Sequence, residues 1–486
     1  MYTPQRIKLS LIFSVFNFLS ATGLKSMVRL FKHYIPKSLL VITIAEMLLS
    51  ILAVYLGVLL RFDFQSDDAH QYVFSSALVF AAVVFSSMAA MGLYQRHLRD
   101  GRRGMFIRIC VAFAISFGVM SMLFYLFPEL TLGRGVFAYT FIMALAGVLV
   151  VRSIYIKVAK REDLKRRILV VGTGEKANLI EVLLKRKTDR QGFKIVGYVS
   201  VSSEEIQVPQ NEVIPHKKTL MSIVEETDTD EIVLAITDRR KGFPVEELLD
   251  CKMSGVEVSD IASLFERQSG RIILDLLHPS WLIFSDGFAH GLARDAVKRV
   301  FDIVASSLLL AFTFPIMLVT ALLIYLEDRG PIFYRQVRVG KNWKLVHVMK
   351  FRSMRTDAEK NGAQWATAND DRVTRIGKFI RKTRIDELPQ MFNVLRGDMS
   401  FVGPRPERPQ FVEQFSESIP FYAERHRVKP GVTGWAQICY PYGASEKDTI
   451  EKLQYDLYYV KNYSIFLDLT VLFQTAEVIL WGKGAR

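Results

Sequence analysis

The sequence is poor in cysteine and histidine. Cys110, Cys251 and Cys439 are its three cysteines in 486 residues, and it has 8 histidines. None of the cysteines belongs to a Cys-x-x-Cys pair or has a histidine at metal-ligand spacing. The sequence therefore excludes a disulfide framework and argues against a structural zinc site.

Apolar residues and positive charge are abundant instead. Half of the residues are hydrophobic, 12% are aromatic and the mean hydropathy is +0.20, which excludes a disordered chain. The formal charge of +14 indicates an anionic partner, which could be nucleic acid, lipid headgroups or a phosphorylated substrate. At about 150 residues per domain, the length predicts two to four domains.

Four apolar stretches are each long enough to cross roughly 30 Å of hydrocarbon as a helix. They are Leu39–Leu60, Val73–Tyr94, Met105–Phe127 and Gly135–Tyr155. Lysine and arginine concentrate before the first, between the second and third, and after the fourth stretch. The positive-inside rule therefore places the N-terminal segment (1–38) and everything after the four helices (39–158) in the cytoplasm. Glu46, inside the first helix, is either an inter-helix contact or a proton-relay or substrate group.

Residues 159–290 change to short apolar strands alternating with helical segments. The strands are predicted at Ile168–Val171, Ile195–Val199, Glu231–Ile236 and Gly255–Val258, which indicates a Rossmann-like module with a parallel sheet. The first strand ends in Gly172-Thr173-Gly174-Glu175-Lys176-Ala177, a turn type that places backbone N–H groups near a pyrophosphate. No strand-end acid follows about 20 residues later, so we expect a degenerate nucleotide-binding fold without catalysis. Asp228-Thr229-Asp230 resembles the Asp-x-Asp motif of metal-dependent glycosyltransferases, but it lies just before a strand and is interpreted as a turn.

A fifth apolar stretch, Val300–Leu326, differs from the first four. Asp302 lies near its start, Pro315 lies at its middle, and both flanks are basic. If it crossed the bilayer, the basic remainder of the chain would be exported, against the positive-inside rule. We therefore expect a re-entrant helix hairpin (298–327) broken at Pro315, with Lys298 and Arg299 against lipid phosphates. A kinked transmembrane helix is the alternative.

The last part of the chain, residues 291–486, gathers basic residues around one acidic pair. Asp386 and Glu387 follow Arg381 and Arg384, and Lys350-Phe351-Arg352 precedes them. The helical spacing of the apolar residues after the pair predicts Asp386 as the N-cap of a short helix that Gly397 ends. Such a helix terminus and its arginines favour ionised carboxylates and also attract phosphate.

This pattern predicts phosphoryl chemistry. One carboxylate could attack phosphorus to give an acyl phosphate while its neighbour holds a metal ion, and oxygen ligands beside phosphates favour Mg²⁺ over zinc. The alternative is a solvated acidic pair that caps a helix. Further along, Pro404-Arg405-Pro406 predicts a rigid turn that presents a guanidinium to a diphosphate. Tyr455–Asn462 and Asp468–Trp481 predict amphipathic helices in a membrane interface.

Residues 293–486 resemble the bacterial sugar transferase family, the large monotopic polyprenol-phosphate phosphoglycosyltransferases that start exopolysaccharide, O-antigen or capsule synthesis. The ordered matches are Lys298-Arg299…Asp302, Lys350-Phe351-Arg352-Ser353-Met354, Arg381…Asp386-Glu387-Leu388-Pro389-Gln390, Gly397-Asp398-Met399-Ser400 and Val402-Gly403-Pro404-Arg405-Pro406. The family often has serine before the central proline, whereas Phe314 precedes Pro315 here. Four preceding spans and a degenerate nucleotide fold also resemble long members of the family.

The resemblance implies transfer of a hexose-1-phosphate from a UDP-sugar to undecaprenyl phosphate, with release of UMP. By analogy, Asp386 is the nucleophile, Glu387 is its acidic partner near Mg²⁺, and Arg381 and Arg405 hold phosphate or nucleotide. The candidate site consists of two catalytic and metal-binding carboxylates, seven substrate-binding residues and one helix-breaking residue. These are Asp386 and Glu387; Arg381, Arg405, Pro404, Lys350, Arg352, Lys298 and Arg299; and Pro315.

The expected partners are a UDP-sugar, undecaprenyl phosphate, inner-membrane lipids and a second copy of the chain, with no nucleic acid. Glucose or galactose is favoured over an N-acetylated sugar. We expect a multi-pass protein of the bacterial inner membrane with its catalytic domain on the cytoplasmic face. Two other functions remain open at this point: a nucleotide-sensing membrane scaffold, and an NAD(P)-dependent nucleotide-sugar-modifying enzyme centred on Gly172–Ala177.

Overall fold

The computed structural model describes most of the chain. The described residues are 27–30, 33–61, 69–94, 102–159, 165–185, 190, 192–201, 205–237, 243–277, 291–358, 371–440, 443 and 445–481. Much of the N-terminal segment and of the connectors on which the predicted orientation depends lies outside these residues. The chain divides into two compact units, Met1–Leu30 with Tyr34–Ser269 and Phe31–His33 with Gly270–Arg486.

The first unit begins with two short strands and four apolar helices. They are β1 (Met27–Leu30), β2 (His33–Pro36), α1 (Lys37–Arg61), α2 (Ala69–Ala90), α3 (Arg102–Leu126) and α4 (Arg134–Ala159). Each helix contains 18 to 23 residues that are apolar enough to cross a membrane. The four predicted stretches are therefore confirmed as membrane-capable helices, although α2 ends at Ala90 rather than at Tyr94.

Glycine allows α1 and α4 to pack closely. A Cβ on Gly57 would lie 2.6 Å from Thr140 Oγ1, and a Cβ on Gly147 would lie 2.6 Å from Leu49 Cδ2. Larger residues at these two positions would push the helices apart. Small residues at helix contacts are typical of membrane bundles, where close van der Waals packing replaces the hydrophobic effect.

Glu46 is the buried polar centre of these helices, with 2% of its surface exposed. Arg152 on α4 donates from Nε to Glu46 Oε1 (2.6 Å) and from Nη2 to Oε2 (3.0 Å), and the Tyr94 hydroxyl donates to Oε2 (2.8 Å). Arg152 also donates to the Leu93 carbonyl (2.7 Å). This ion pair ties α1 and α4 to the turn after α2, so the geometry favours the inter-helix interpretation of Glu46.

The rest of the first unit is a parallel five-stranded sheet with helices. Its elements are β3 (Arg166–Val171), α5 (Glu175–Leu183), β4 (Phe193–Ser200), β5 (Val213–Pro215), α6 (Leu220–Thr227), β6 (Glu231–Leu234), α7 (Val245–Met253), β7 (Glu257–Asp260) and α8 (Ile261–Ser269). The strand order is β5-β4-β3-β6-β7. The predicted parallel module is confirmed, and the three-residue β5 was missed because it is too short to show a strand pattern.

The strand order reverses between β3 and β6, where the glycine turn lies. Gly172 has φ 124°, and a Cβ there would lie 2.7 Å from the Ala235 carbonyl oxygen, so the position requires glycine. Thr173 and Ala177 are buried behind the turn. Asp228 has φ 48° at the end of α6, which agrees with the predicted turn.

The second unit contains one long helix followed by a small α/β body. Its elements are α9 (Leu292–Asp328), β8 (Phe333–Val339), β9 (Leu345–Phe351), α10 (Arg375–Lys382), α11 (Gln390–Arg396), β10 (Ser400–Val402), α12 (Pro409–Ser418), β11 (Gly431–Thr433), α13 (Trp435–Cys439), α14 (Glu446–Asn462) and α15 (Ile465–Trp481). Strands β8 and β9 pair antiparallel, and β10 pairs parallel with β11.

Helix α9 is the fifth membrane-capable helix of the described residues. It is one continuous helix of 37 residues with Pro315 inside it, so the predicted division into two helices is not found. One face packs on the small α/β body, and the opposite face exposes large apolar side chains over most of its length. Examples are Val304, Leu308, Phe312, Leu318, Val319, Leu322 and Leu326.

Helix α14 lies in the core of the second unit. Leu457, Tyr458 and Tyr459 are almost completely buried and belong to one apolar cluster with Trp435 and Val402. The prediction that Tyr455–Asn462 lies in a membrane interface is therefore wrong. The mixture of aromatic and charged residues suggested one face toward lipid and one toward water. In the structure, Asp456 of this helix instead pairs with Arg425 inside the protein.

Candidate active site

Asp386 and Glu387 lie in a short 3-10 turn between α10 and α11. Arg384 precedes this turn in the left-handed conformation, with φ 60°, and so redirects the chain after α10. Helix α11 begins at Gln390, with Pro389 at the cap position. The predicted N-cap role of Asp386 is therefore wrong, because Asp386 lies inside the 3-10 turn and the cap position of α11 is Pro389.

Three cations surround the Glu387 carboxylate. Lys350 donates from Nζ to Oε1 (2.9 Å), Arg405 donates from Nη2 to Oε1 (3.3 Å), and Arg384 Nη1 lies 3.7 Å from the same oxygen. Burial alone would raise the pKa of Glu387, but Lys350, Arg405 and Arg384 outweigh burial and hold its pKa well below the usual range. Glu387 is therefore a fixed anion at neutral pH.

Asp386 lies beside this cluster with a different environment. It is 8% exposed, and its carboxylate has no hydrogen-bond donor within the described part of the chain. Burial raises the pKa of Asp386, and the negative Glu387 raises it further, against the opposing effects of Lys350, Arg384 and Arg381. The shift is thus opposite to the one predicted from the surrounding basic residues. Asp386 is thus a poorly solvated carboxylate whose oxygens accept no hydrogen bond from the described residues.

The turn that carries Arg405 is fixed by the pairing of β10 with β11. The Gly403 N–H donates to the Thr433 carbonyl, and the Gly431 N–H donates to the Pro404 carbonyl, both at 2.9 Å. A Cβ on Gly403 would lie 2.3 Å from the Lys429 carbonyl oxygen. The close backbone packing at Gly403 therefore fixes the turn that brings Arg405 to Glu387. The predicted presentation of this guanidinium to a diphosphate stays a prediction.

Two further contacts hold Arg405. Its Nη1 donates to Gln437 Oε1 (2.9 Å), and its backbone carbonyl accepts from Arg425 Nη2 (2.9 Å). Arg425 is buried and pairs with Asp456 on α14 at 2.8 Å. Burial raises the pKa of Asp456 to about 6, even though Arg425 opposes this shift. The charged residues of α14 thus support the site from inside the core.

Helix α11, which follows the acidic pair, is anchored at both sides. Asn393 accepts from the Met349 N–H (2.9 Å) and donates to the His347 carbonyl (2.7 Å), which joins α11 to β9. Arg299 donates to the carbonyls of Val394 (2.6 Å) and Leu395 (2.5 Å) at the end of α11. Arg299 therefore caps the end of α11, and its expected contact with lipid phosphates stays a prediction.

Lys298 and Arg352 are also engaged in structural ion pairs. Lys298 is buried, with Nζ 3.0 Å from Asp302 Oδ1 and 2.7 Å from Asp468 Oδ2. Arg352 binds Asp328 through both terminal nitrogens and donates to the Pro331 carbonyl (2.6 Å). The expected placement of Lys298 at the headgroups is wrong, because its side chain is buried between Asp302 and Asp468.

The structure therefore divides the predicted site residues into two groups. Asp386, Glu387, Lys350 and Arg405 come together, with Arg381 close enough to influence Asp386 electrostatically. Pro404 contributes its backbone. Lys298, Arg299 and Arg352 lie in the supporting ion pairs and caps, and Pro315 lies inside α9.

Two residues of the site, Arg384 and Gln437, had no individual role in the sequence interpretation. Arg384 was noted beside the acidic pair, and Gln437 closes the polar, glycine-bearing stretch Lys429–Gln437. That stretch was the available signal. The contact between Gln437 and Arg405 depends on the β10–β11 pairing, which no local pattern shows.

The site fits Mg²⁺ only if water and substrate phosphates complete the ligands that the protein carboxylates supply. The described residues contain no group of three or more histidine, cysteine, aspartate or glutamate side chains that could hold a metal by themselves. Mg²⁺ is commonly held by one or two carboxylates together with water and substrate phosphates. The unengaged carboxylate of Asp386 beside Glu387 offers such oxygen ligands, so the donor set fits.

Comparison with known proteins identifies the family. Residues 293–482 match the family described as bacterial sugar transferase, which covers the whole site. An exopolysaccharide production protein PSS of Rhizobium leguminosarum bv. phaseoli is 42% identical over 195 residues, 39% of this chain and 98% of that protein. The chain belongs to the bacterial sugar transferase family.

Two longer relatives are named for their activity. A UDP-N-acetylgalactosamine-undecaprenyl-phosphate N-acetylgalactosaminephosphotransferase of Aeromonas hydrophila is 46% identical over 242 residues, 49% of this chain and 56% of that protein. A UDP-glucose:undecaprenyl-phosphate glucose-1-phosphate transferase of Klebsiella pneumoniae is 48% identical over 182 residues, 37% of this chain and 39% of that protein. The chain thus spans about half or less of the length of these curated relatives.

Residues 89–242 match a second family, described as a CoA-binding domain. The glycine turn of this region is closely packed in the structure. Gln207 donates its backbone N–H to the Thr173 carbonyl (2.9 Å), and Lys176 Nζ donates to the Ile236 carbonyl (3.4 Å). The segment that contains Gln207 therefore contacts the glycine turn.

Proposed function

We propose that this protein transfers a hexose-1-phosphate from a UDP-sugar to undecaprenyl phosphate and releases UMP. This reaction is the first step of extracellular polysaccharide assembly. The observation that carries the proposal is the contrast within the acidic pair. Glu387 is neutralised by three cations, whereas the adjacent Asp386 is buried without a hydrogen-bond donor among the described residues. An electrostatically supported, unengaged carboxylate is what nucleophilic attack on phosphorus requires.

In the first step, an oxygen of Asp386 attacks the phosphorus that bears the sugar. The bond between this phosphorus and the bridging oxygen breaks, the electron pair goes to that oxygen, and UMP leaves. Lys350, Arg384 and Arg405 offset the negative charge of the diphosphate and of Glu387, which would otherwise repel the nucleophile. The product is an aspartyl phosphosugar.

In the second step, a phosphate oxygen of undecaprenyl phosphate attacks the same phosphorus. The bond to Asp386 breaks, the carboxylate is regenerated, and undecaprenyl diphosphate sugar leaves. Asp386 and Glu387 would hold Mg²⁺ together with substrate phosphates, and when bound it would screen the charge on the transferring phosphoryl group. Both steps use the same carboxylate, so the kinetics should be ping-pong.

The test is a UMP-release assay with the full chain in membranes. Asp386→Asn keeps the size of the side chain and removes the nucleophile, so UMP release should fall to background. Donor labelled in the sugar phosphate should label the wild-type protein when undecaprenyl phosphate is omitted. Activity retained by Asp386→Asn, or labelling of that variant, would contradict the mechanism.

The identity of the sugar is a separate part of the proposal. We propose glucose or galactose as the sugar. The two longer relatives are named for N-acetylgalactosamine and glucose donors respectively. The same assay with UDP-glucose, UDP-galactose, UDP-N-acetylglucosamine and UDP-N-acetylgalactosamine tests this choice. A kcat/KM highest for either N-acetylated donor would contradict it.

We further propose that α9, although one continuous helix, does not cross the bilayer, and that the catalytic part stays on the cytoplasmic face of the inner membrane. Asp302 near the start of α9 accepts from the Phe401 N–H (3.0 Å), and Asp328 at its end binds Arg352. The Cα atoms of Asp302 and Asp328 would be roughly 39 Å apart in a straight helix, enough to cross the hydrocarbon core. Contacts from both positions to one polar body favour a helix that enters one leaflet without crossing.

Topology is testable by cysteine accessibility. Lys344 is exposed in the second unit. In a variant with Cys110, Cys251 and Cys439 replaced by serine, Lys344→Cys should react with an impermeant maleimide in inverted vesicles and not in intact spheroplasts. The reverse pattern would place the catalytic part outside.

We also propose that the protein forms a homodimer. Cross-linking of the same membranes tests this proposal, which would be contradicted by a monomer at all cross-linker concentrations.

A further inference from the structure

We propose that Gln437 is a positioning residue for the transfer reaction, acting through Arg405. Gln437 Oε1 accepts from Arg405 Nη1 (2.9 Å), while Arg405 Nη2 donates to Glu387 Oε1 (3.3 Å). The two contacts fix opposite sides of one planar guanidinium group. This inference rests on the proposed transferase function and adds a residue that no sequence pattern assigned.

The contact with Gln437 adds a constraint on the orientation of the Arg405 guanidinium. Its side chain is 34% exposed, and its one contact to Glu387 is a long hydrogen bond. An arginine side chain has many rotamers, and its planar fork binds phosphate well only when its orientation is fixed. The amide oxygen of Gln437 supplies this constraint without adding a charge that would repel the diphosphate. Gln437 should therefore affect binding of the donor diphosphate more than the chemical step.

Gln437 is itself held by the segment that enters the second unit. Helix α13 carries Gln437 two residues after Trp435, and Trp435 Nε1 donates to the Gly270 carbonyl (2.7 Å). The Ile272 N–H donates to the Gln454 carbonyl (3.1 Å), so this segment is also fixed to α14. Trp435 thus anchors the short helix that carries Gln437, and Gln437 in turn contacts Arg405.

The experiment uses the full chain and separates binding from chemistry. Gln437→Met keeps the length of the side chain and removes the accepting oxygen. Loss of one charge-assisted hydrogen bond should raise KM for the UDP-sugar about tenfold and change kcat less than about threefold. Trp435→Phe, which keeps an aromatic side chain but loses the N–H donor and part of the buried indole, should also raise KM, by a smaller factor. Gln414→Met, at an exposed glutamine of the same unit, is the matched control and should leave both constants unchanged.

A double-mutant cycle distinguishes positioning from a general structural role. The dissociation constant of UDP is measured for the wild type, Gln437→Met, Arg405→Ala and the double variant. If Gln437 acts through Arg405, Gln437→Met should weaken UDP binding about tenfold in the wild type and less than about twofold in the Arg405→Ala background. Additive effects, an unchanged KM, or a fall in kcat at constant KM would overturn the proposal.

The cycle distinguishes a failure of this inference from a failure of the proposed reaction. UDP binding can be measured in an Asp386→Asn background, where turnover is absent by expectation. If Asp386→Asn remains active while the cycle is non-additive, the nucleophile assignment fails and the role of Gln437 stands. If Asp386→Asn is inactive and the cycle is additive, the nucleophile assignment stands and the proposed role of Gln437 fails.

Discussion

Replacing Lys350 by methionine removes a positive charge from the acidic pair and keeps most of the side-chain volume. Lys350 Nζ lies 2.9 Å from Glu387 Oε1, and it is the largest electrostatic influence that lowers the pKa of both carboxylates. The pKa of Asp386 is already raised by burial and by Glu387. Without Lys350 the pKa of Asp386 should rise further, so the ionised nucleophile should form only at higher pH.

The size of this shift follows from the exposure of Lys350. A unit charge about 5 Å from a carboxylate interacts with it by about 3 kcal/mol at an effective dielectric constant of 20, and by about 0.8 kcal/mol in bulk water. The Lys350 side chain is 26% exposed, so its interaction should lie between these limits. A value of about 1.4 kcal/mol corresponds to one pKa unit.

The assay is the pH dependence of kcat/KM for the UDP-sugar, which reports ionisations of the free enzyme. The acidic limb should move to higher pH by about one unit in Lys350→Met and stay in place in the control Lys344→Met, since Lys344 is exposed and outside the acidic pair. A limb that stays in place, or moves to lower pH, would refute the argument that Lys350 sets the charge of Asp386.

Three other predictions concern stability. Glu46→Ala leaves Arg152 buried without its carboxylate and should cost about 3–5 kcal/mol, measured as a lower melting temperature in detergent, with partial recovery in Glu46→Leu/Arg152→Met. Burial lowers the pKa of His426 to about 3, so the unfolded chain takes up the proton first as the pH falls. Stability should therefore fall by up to about 1.4 kcal/mol per unit below about pH 6, and His426→Leu should flatten this dependence. Arg299→Met removes two hydrogen bonds to the end of α11 and should lower the melting temperature without changing KM for undecaprenyl phosphate; a raised KM would restore the lipid-phosphate role.

Much of the fold was predictable because its signals are local. Four apolar stretches of bilayer length gave α1 to α4, and the alternation of short strands with helices gave the parallel sheet. The acidic pair was also found from local signals, because arginines lie within a few residues of it in the sequence. In the same way, Gly403 and Pro404 directly precede Arg405 and marked its turn. Composition and spacing carry this kind of information.

The partners of the buried charges were not predictable for the opposite reason. Arg152 and Glu46 are separated by 106 positions, and Lys298 pairs with Asp468 near the other end of the unit. Periodicity describes the neighbours of a residue along one helix or strand, and it carries no information on which elements pack together. Lys298, Arg299 and Arg352 were therefore assigned to substrates from sequence when their side chains bind other parts of the protein.

Basic residues with a structural role differ from those of the active site in whether the carboxylate oxygens beside them already accept hydrogen bonds. Lys298 and Arg352 face aspartates that already complete an ion pair, and Asp302 and Asp468 accept further hydrogen bonds from Phe401 and Tyr459. Such carboxylates have their oxygens engaged and are poor nucleophiles. Asp386 differs, because nearby cations interact with its charge electrostatically while its oxygens accept no hydrogen bond from the described residues. Burying a carboxylate in this way is costly for a folded protein and serves no packing purpose. That cost is explained if the site is built for a phosphoryl group, since the attacking oxygen must stay open until a donor arrives.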